Sequence, residues 1–326
     1  MKRFFLFLLG IILWNQSAFA QKDTIERILI SQVEFGKNVE GLNYLKVEAA
    51  MNLVARFSKR FEIIPFDFRD SVAKMLEKNG IEPTHYNIGK QLGASRILAL
   101  RINRLANIIR TDIFSFNLSD STFSKGKGYA LIRYFKKEKN EPILDPSLLT
   151  ALQRAFAELI NEPLLYSNLE GSLKVKPAPT LVIGAINYIE NDTISNWEIF
   201  QKKQTTSYFA IETIFEIAMK STDFVVFDIP TRDTIYAYFN LFEPENFNPP
   251  NINEIQALQQ FEVDYYIAGE FYWDSGNARL KLILCKITEE GLEIMKEETK
   301  IVPEDNIESF KNTLIQLTKD LLNISG

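Results

Sequence analysis

The sequence predicts an α/β fold with α+β character: a mixed β-sheet flanked by helices, duplicated in tandem. Three observations predict it. A stretch occurs twice without a gap, Phe61-Glu62-Ile63-Ile64-Pro65-Phe66-Asp67-Phe68-Arg69-Asp70-Ser71-Val72 and Phe224-Val225-Val226-Phe227-Asp228-Ile229-Pro230-Thr231-Arg232-Asp233-Thr234-Ile235. Each copy follows an amphipathic helical pattern, and a helix between two strand-like runs implies a crossover connection and a parallel pair. Each half then runs into hairpin patterns, which add antiparallel partners. A repeat whose period is the size of a domain is a duplication and not a solenoid.

Residues 1–20 are set aside first. Lys2 and Arg3 precede an almost unbroken apolar run from Phe4 to Trp14, and Ala18-Phe19-Ala20 offers small residues at the positions a signal peptidase reads. This is an export signal cleaved after Ala20, so the mature chain begins at Gln21 and lies in the periplasm or is otherwise exported. The apolar run is short for a bilayer span, and no later segment is long and apolar enough to cross as a helix.

The first domain is placed at 21–168. Ile28-Leu29-Ile30 reads as a buried strand, followed by a helix whose Val47, Ala50, Met51 and Val54 form one stripe. Phe61 to Phe66 is the next strand, and a short helix through Val72, Met75 and Leu76 ends at Asn79-Gly80. Another short helix carries Ile88 and Leu92, and Ile97-Leu98-Ala99-Leu100 is a buried strand. Leu118 to Thr122 is a polar turn between two sheet-like runs, Lys136 to Asn140 is a solvated loop, and Leu148, Leu152, Ala155, Phe156 and Leu159 form a closing helical stripe.

Residues 169–179, with Gly171, Pro177, Pro179 and alternating lysines, read as a linker, and 180–326 as the second domain. Leu181 to Ile186 matches the opening strand, Ala210 to Ala218 the long helix, and Phe224 to Phe227 the next strand. Leu92 to Leu100 lies over Phe261 to Gly269, so the second half carries a few extra residues before that block. The Pro/Asn/Glu stretch Glu243 to Pro250 is their natural home. Asp274-Ser275-Gly276-Asn277 is hairpin chemistry, Gly291 marks another turn, and Ile307, Phe310, Leu314, Leu317 and Leu321 make the final stripe.

Arg60-Phe61-Glu62-Ile63-Ile64 and Leu92-Gly93-Ala94-Ser95-Arg96-Ile97-Leu98, in this order of elements, resemble the N-terminal domain of TolB and the related curli-secretion lipoprotein CsgG and penicillin-binding-protein activator groups, here as two tandem copies. In those families a helix-ending Gly-Ala pair leads into a buried strand. Val263-Asp264-Tyr265-Tyr266-Ile267-Ala268-Gly269 is similar in the second half, with Glu262-Val263 where the pair would stand. The resemblance implies an exported, non-enzymatic assembly or scaffolding role and transfers no particular partner. The lipoproteins' acylated cysteine has no counterpart here, and nothing shows the blade-like repetition of TolB's propeller.

Composition narrows the function classes. The chain has 37 Lys and Arg, two of them in the leader, against 42 Asp and Glu, so nucleic acid is not an expected partner. A local basic patch would still permit peripheral membrane association. The one cysteine, Cys285, can form no internal disulfide and sits in a strand of core character, so stability has to come from packing. His85 is the only histidine, and no phosphate-binding glycine loop or serine nucleophile elbow occurs. No catalytic residue, metal ligand or cofactor site is assigned.

The candidate ligand or partner contacts are Arg69, Asp70, Arg232 and Asp233, which follow equivalent strand ends, and the aromatic run Phe271-Tyr272-Trp273. A plainer expectation stands beside each. Asp70 or Ser71, and Asp233 or Thr234, would cap the following helix, and strand alternation would send about half of the aromatic side chains to the core. The leading reading is an exported, non-enzymatic binding or scaffolding protein of the bacterial cell envelope, with another envelope protein as partner. The alternatives are a carboxylate-dependent hydrolase using Asp67, Asp70, Asp228 or Asp233 at an inter-domain cleft, and a periplasmic small-ligand receptor with a pocket between the halves.

Overall fold

The computed structural model describes residues 25–134, 142–143, 145–168, 171–190, 195–241, 246–274 and 276–324. The export signal, the start at Gln21 and the charged stretch 136–140 lie outside the described residues.

The opening strand β1 (Glu26–Phe35) is followed by α1 (Tyr44–Ser58), β2 (Phe61–Ile63), α2 (Phe66–Lys78), α3 (His85–Gln91), β3 (Arg96–Leu105), β4 (Ile108–Asn117) and β5 (Phe123–Leu131). They form one five-stranded sheet in the order β2-β1-β3-β4-β5. β1 runs parallel to β2 and β3 because helices carry the chain back between them, whereas β4 and β5 are added by tight antiparallel turns. A short ladder of β6 (Arg133–Tyr134) and β7 (Pro142–Ile143) leads to α4 (Asp145–Leu159).

The helical stripes pack where their periodicity sends them. Val47, Met51 and Val54 of α1 and Leu148, Leu152 and Phe156 of α4 cover the face made by Ile28, Ile30, Leu98, Leu100, Ile109 and Ile113. The opposite face, at Leu29 and Ile97, is covered by Leu76 of α2 and Ile88 of α3.

The second half repeats the plan. β8 (Leu164–Asn168) and β9 (Gly171–Val175) pair antiparallel, so part of the expected linker is strand and not irregular chain. Then come β10 (Thr180–Glu190), α5 (Glu198–Gln201), α6 (Lys203–Ala218), β11 (Val225–Phe227), α7 (Ile229–Tyr238), α8 (Ile252–Gln260), β12 (Tyr265–Asp274), β13 (Asn277–Thr288), β14 (Gly291–Val302) and α9 (Ile307–Leu322). The sheet order β11-β10-β12-β13-β14 and its parallel and antiparallel pairings match the first sheet strand for strand.

Three local details shape the ends of the parallel strands. The opening strand of each sheet slips register once against its neighbour, between Ile30 and Gln32 and between Ile183 and Ile186. The expected strand Phe61 to Phe66 stops at Ile63: the Ile64 N–H still donates to the Ile28 carbonyl at 2.8 Å, but Pro65 has no N–H to continue the ladder and becomes the residue that opens α2. The helix expected after Asp70 therefore starts at Phe66, and Asp70, Ser71, Asp233 and Thr234 lie within helices and are not caps. Glu48 accepts from the Phe66 backbone N–H at 2.9 Å, and Asp228 caps α7 through the Thr231 N–H at 2.9 Å.

Candidate functional site

Arg69 and Arg232 occupy equivalent places at the first turn of α2 and α7, each aimed at its own sheet's register slip. Arg69 Nε donates to Asp70 Oδ1 at 2.7 Å, its Nη1 donates to the carbonyls of Ile30 at 3.1 Å and Ser31 at 3.4 Å, and the guanidinium lies over the Phe66 ring. Arg232 pairs with Asp233 at 2.8 Å and donates from Nη1 to the Ile183 carbonyl at 3.3 Å. The named contacts of each arginine lie within its own half. The pairing of each arginine with the next aspartate is therefore present, and the two pairs serve two separate places.

The surroundings of the two arginines differ. Asn246, itself buried, accepts from Arg232 Nη2 at 2.7 Å through its side chain, and its carbonyl accepts from the Ile186 N–H at 3.0 Å. The Arg232 side chain is left 3% exposed, against 18% for Arg69. Asn246 belongs to the connection between α7 and α8, residues 239–251, where the first half has only 79–84. In the first half the same place is a cleft of about 460 Å³, walled by Ser31, Val33, Tyr44, Leu45, Glu48 and Arg69.

The aromatic run separates by strand alternation. Phe271 is core, stacked on Phe200 at 4.4 Å and against Phe310 at 5.2 Å, so its side chain is not available to a partner. Trp273 packs edge-on to Trp197 at 5.5 Å. Tyr272 is half-buried on the opposite side of the strand.

A second constellation is not legible in the sequence: the junction of the halves. Ile108 and Tyr129 of the first sheet share one apolar cluster with Val182, Phe227, Ile235 and Tyr266 of the second half. Around it, Arg110 donates to Asp112 at 2.8 Å, to the Phe261 carbonyl at 2.9 Å and to Glu262 at 2.5 Å. Lys125 reaches Glu262 at 2.7 Å, Lys127 reaches Asp264 at 3.0 Å, and Asn107 donates to Asp228 at 2.7 Å. Burial alone would raise the Glu262 carboxyl, but the Lys125 hydrogen bond and the charges of Arg110, Lys125 and Lys127 hold it below the ordinary glutamate value. Burial pushes the Tyr129 hydroxyl well above the tyrosine range, so it stays a neutral donor to the Phe261 carbonyl. The alternating basic residues Arg110, Lys125 and Lys127 are the available signal. They sit on strands whose other face is apolar, and nothing in a single sequence says what meets them.

Of the carboxylates considered for acid/base work, Asp228 is committed to the α7 cap and to Asn107. Asp67 and Asp70 lie at the Arg69 cleft. His85 is the exposed first residue of α3, and Cys285 is buried. Among the described residues no group of three or more His, Cys, Asp or Glu side chains is arranged to hold a metal ion, and no helix is long and apolar enough to cross a membrane.

No protein-family model and no curated protein matches the chain. Among solved structures, the LpoB C-terminal domain from Escherichia coli is similar at 12% identity, covering 39% of this chain and 84% of that one with a TM-score of 0.27. The PelC dodecamer from Paraburkholderia phytofirmans is similar at 10% identity, covering 42% and 88%, with a TM-score of 0.27. Lipoprotein GNA1162 from Neisseria meningitidis is similar at 11% identity, covering 36% and 85%, with a TM-score of 0.24. Scores this low assign no family, and the functional reading rests on the chain's own residues.

Proposed function

We propose that the protein is an exported, non-enzymatic binding or scaffolding protein of the bacterial cell envelope, built from two TolB N-terminal-like domains at 21–168 and 180–326, and that it acts by holding another envelope protein. The export signal read from residues 1–20 supports the location. The observation that carries the binding role is the junction. A hydrolase or a small-ligand receptor working between the halves needs an open, shared cleft. Here that space holds Tyr129 packed on Phe227 at 5.9 Å and the ion pairs of Arg110, Lys125 and Lys127. Joined in this way, the two halves offer outer surfaces to a partner in a fixed relation.

The test is cell fractionation followed by cross-linking in cells, with a photoreactive residue placed in turn at exposed positions on each half. The expected result is an envelope location and one discrete cross-linked protein from a confined set of positions. Cytoplasmic fractionation, or hydrolysis of an envelope glycan by the purified protein that is abolished by Asp67→Asn or Asp70→Asn, would overturn it.

A further inference from the structure

In the second half, the place equivalent to the first half's open cleft is filled by the chain itself. Asn246 places its side-chain oxygen on Arg232 and its backbone carbonyl on the Ile186 N–H at the register slip of β10. The next residue, Phe247, lies 5.1 Å from Nζ of Lys203, the first residue of α6. A short turn of chain thus makes three contacts: an amide to the arginine, a carbonyl to the strand, and an aromatic ring to the start of the long helix.

Each of the three receiving groups has its counterpart in the first half, and all three line one cleft. Arg69 stands for Arg232, Val33 for Ile186 three residues past the start of the slip, and Tyr44 and Leu45 at the start of α1 for Lys203. Among the described residues, what is missing is the occupant. The connection between α2 and α3 turns back at once, with Gly80 at φ +71° and the Ile81 N–H on the Leu76 carbonyl at 2.9 Å, so residues 79–84 stay at the far end of α2. Among the described residues Arg69 Nη2, the atom equivalent to the one that holds Asn246, makes no hydrogen bond, while Nε and Nη1 are fixed by Asp70 and by the strand carbonyls. The guanidinium is therefore oriented with one edge turned to the cleft. Tyr44 is 51% and Leu45 74% exposed at its rim, an apolar ledge where the aromatic ring would lie.

We propose that the Arg69 cleft binds a short turn-forming segment of a partner protein that presents an asparagine followed by an aromatic residue, in the pose that Asn246 and Phe247 take on Arg232 and Lys203. Charge favours the amide over a carboxylate: Glu48, Asp67 and Asp70 all line the cleft around the single arginine, so a further anion there is repelled, whereas a carboxamide oxygen accepts from Nη2 without adding charge. The inference rests on the binding-protein reading and locates one contact of that partner.

The probe is the chain's own plug as a blocked synthetic peptide of residues 244–250, Pro-Glu-Asn-Phe-Asn-Pro-Pro, titrated into the purified exported protein and followed by backbone and arginine-side-chain NMR. Saturable shifts are expected at Val33, Tyr44, Phe66 and Arg69, with affinity falling about tenfold when the peptide's first asparagine is replaced by leucine. Arg69→Ala should abolish the shifts. Leu45→Glu, an exposed position whose change leaves the fold intact, should weaken them and provides the second variant if Arg69→Ala does not fold. An absence of saturable shifts at these residues, or equal binding of the leucine peptide, overturns the proposal. If that happens while cross-linking still captures an envelope protein from other surfaces, the site falls and the binding role stands.

Discussion

The carboxylate of Glu262 crosses the junction to the guanidinium of Arg110 at 2.5 Å, and it does so from a left-handed backbone with φ 56°. The equivalent residue of the first half is Gly93, at φ 64°. Both end a helix with a left-handed residue, and glycine is the unstrained choice there. Glutamate in that conformation costs about 1 kcal/mol. The second half accepts this strain where a side chain is needed to reach Arg110 and Lys125.

Arg110 and Glu262 should therefore respond very differently to removal. Arg110→Ala leaves Asp112, whose side chain is 4% exposed, with only Lys125 at 3.9 Å, and a loss of about 3 kcal/mol is expected. Glu262→Gly relieves the backbone strain while breaking half-exposed ion pairs, so the two effects offset to within about 1 kcal/mol. Urea unfolding of both variants checks the order. A Glu262→Gly loss as large as that of Arg110→Ala would mean the junction depends on Glu262 far more than its exposure indicates.

Acid should loosen the same contact. The Glu262 carboxyl is held below its ordinary value in the folded protein, so its stabilisation is fully present above the unfolded glutamate value and is lost as pH falls through the folded one. Comparing wild type with Glu262→Gln isolates this group. The wild type should be more stable at neutral pH, and the gap should close progressively below about pH 4. A gap that stays constant to pH 3 would contradict the linkage.

Asn246 should matter to the second half in a way that no described residue does at the equivalent cleft of the first. Asn246→Ala removes the acceptor from a buried guanidinium and the expected loss is about 1–3 kcal/mol. Among the described residues, Arg69, at an open cleft, has one nitrogen without a partner, so Arg69→Ala should cost less than Arg232→Ala. Denaturation midpoints at a common m-value decide the comparison.

The Asn246 plug also marks how far the sequence can be read. The duplication, the order of strands and helices along the chain, and the home of the extra residues in 243–250 are all legible, because repetition and hydrophobic spacing are local signals. The function of those residues is not. Asn246 reaches Arg232 and Ile186 through tertiary contacts, and a polar loop looks the same whether it is solvated or buried. The start of α2 escapes sequence reading for a related reason: Glu48, on a different helix, satisfies the Phe66 N–H, so the helix begins without a local cap. Phe271, Tyr272 and Trp273 are adjacent in sequence, but the pleat of β12 sends Phe271 to the core and Tyr272 to the other side of the sheet.

Cys285 gives a simple test of core integrity. Its thiol is buried and burial pushes its pKa up, so the reactive thiolate is scarce and inaccessible. Alkylation by iodoacetamide at pH 8 should be slow in the native protein and fast in denaturant. Rapid native labelling would mean that the face of the second sheet carrying α7 and α8 opens readily.

Gly128 probes the opposite limit, a place where the backbone leaves no room. It lies on β5 beneath α4, and a methyl group there would stand 2.0 Å from the Ala151 carbonyl oxygen and 2.5 Å from the Ala155 nitrogen. Both are backbone atoms of a helix and cannot swing aside, so α4 has to lift from the sheet. Gly128→Ala should lower stability by about 1–3 kcal/mol, even though alanine suits a strand no worse than glycine does. Gly276, at the β12–β13 turn, supplies the contrast. Its methyl would meet nothing within 4 Å, and its cost comes from φ +80° alone, so Gly276→Asn should be milder because asparagine tolerates that conformation. If thermal unfolding shows Gly128→Ala to be the milder of the two, the close approach of α4 to β5 is not what holds that helix in place.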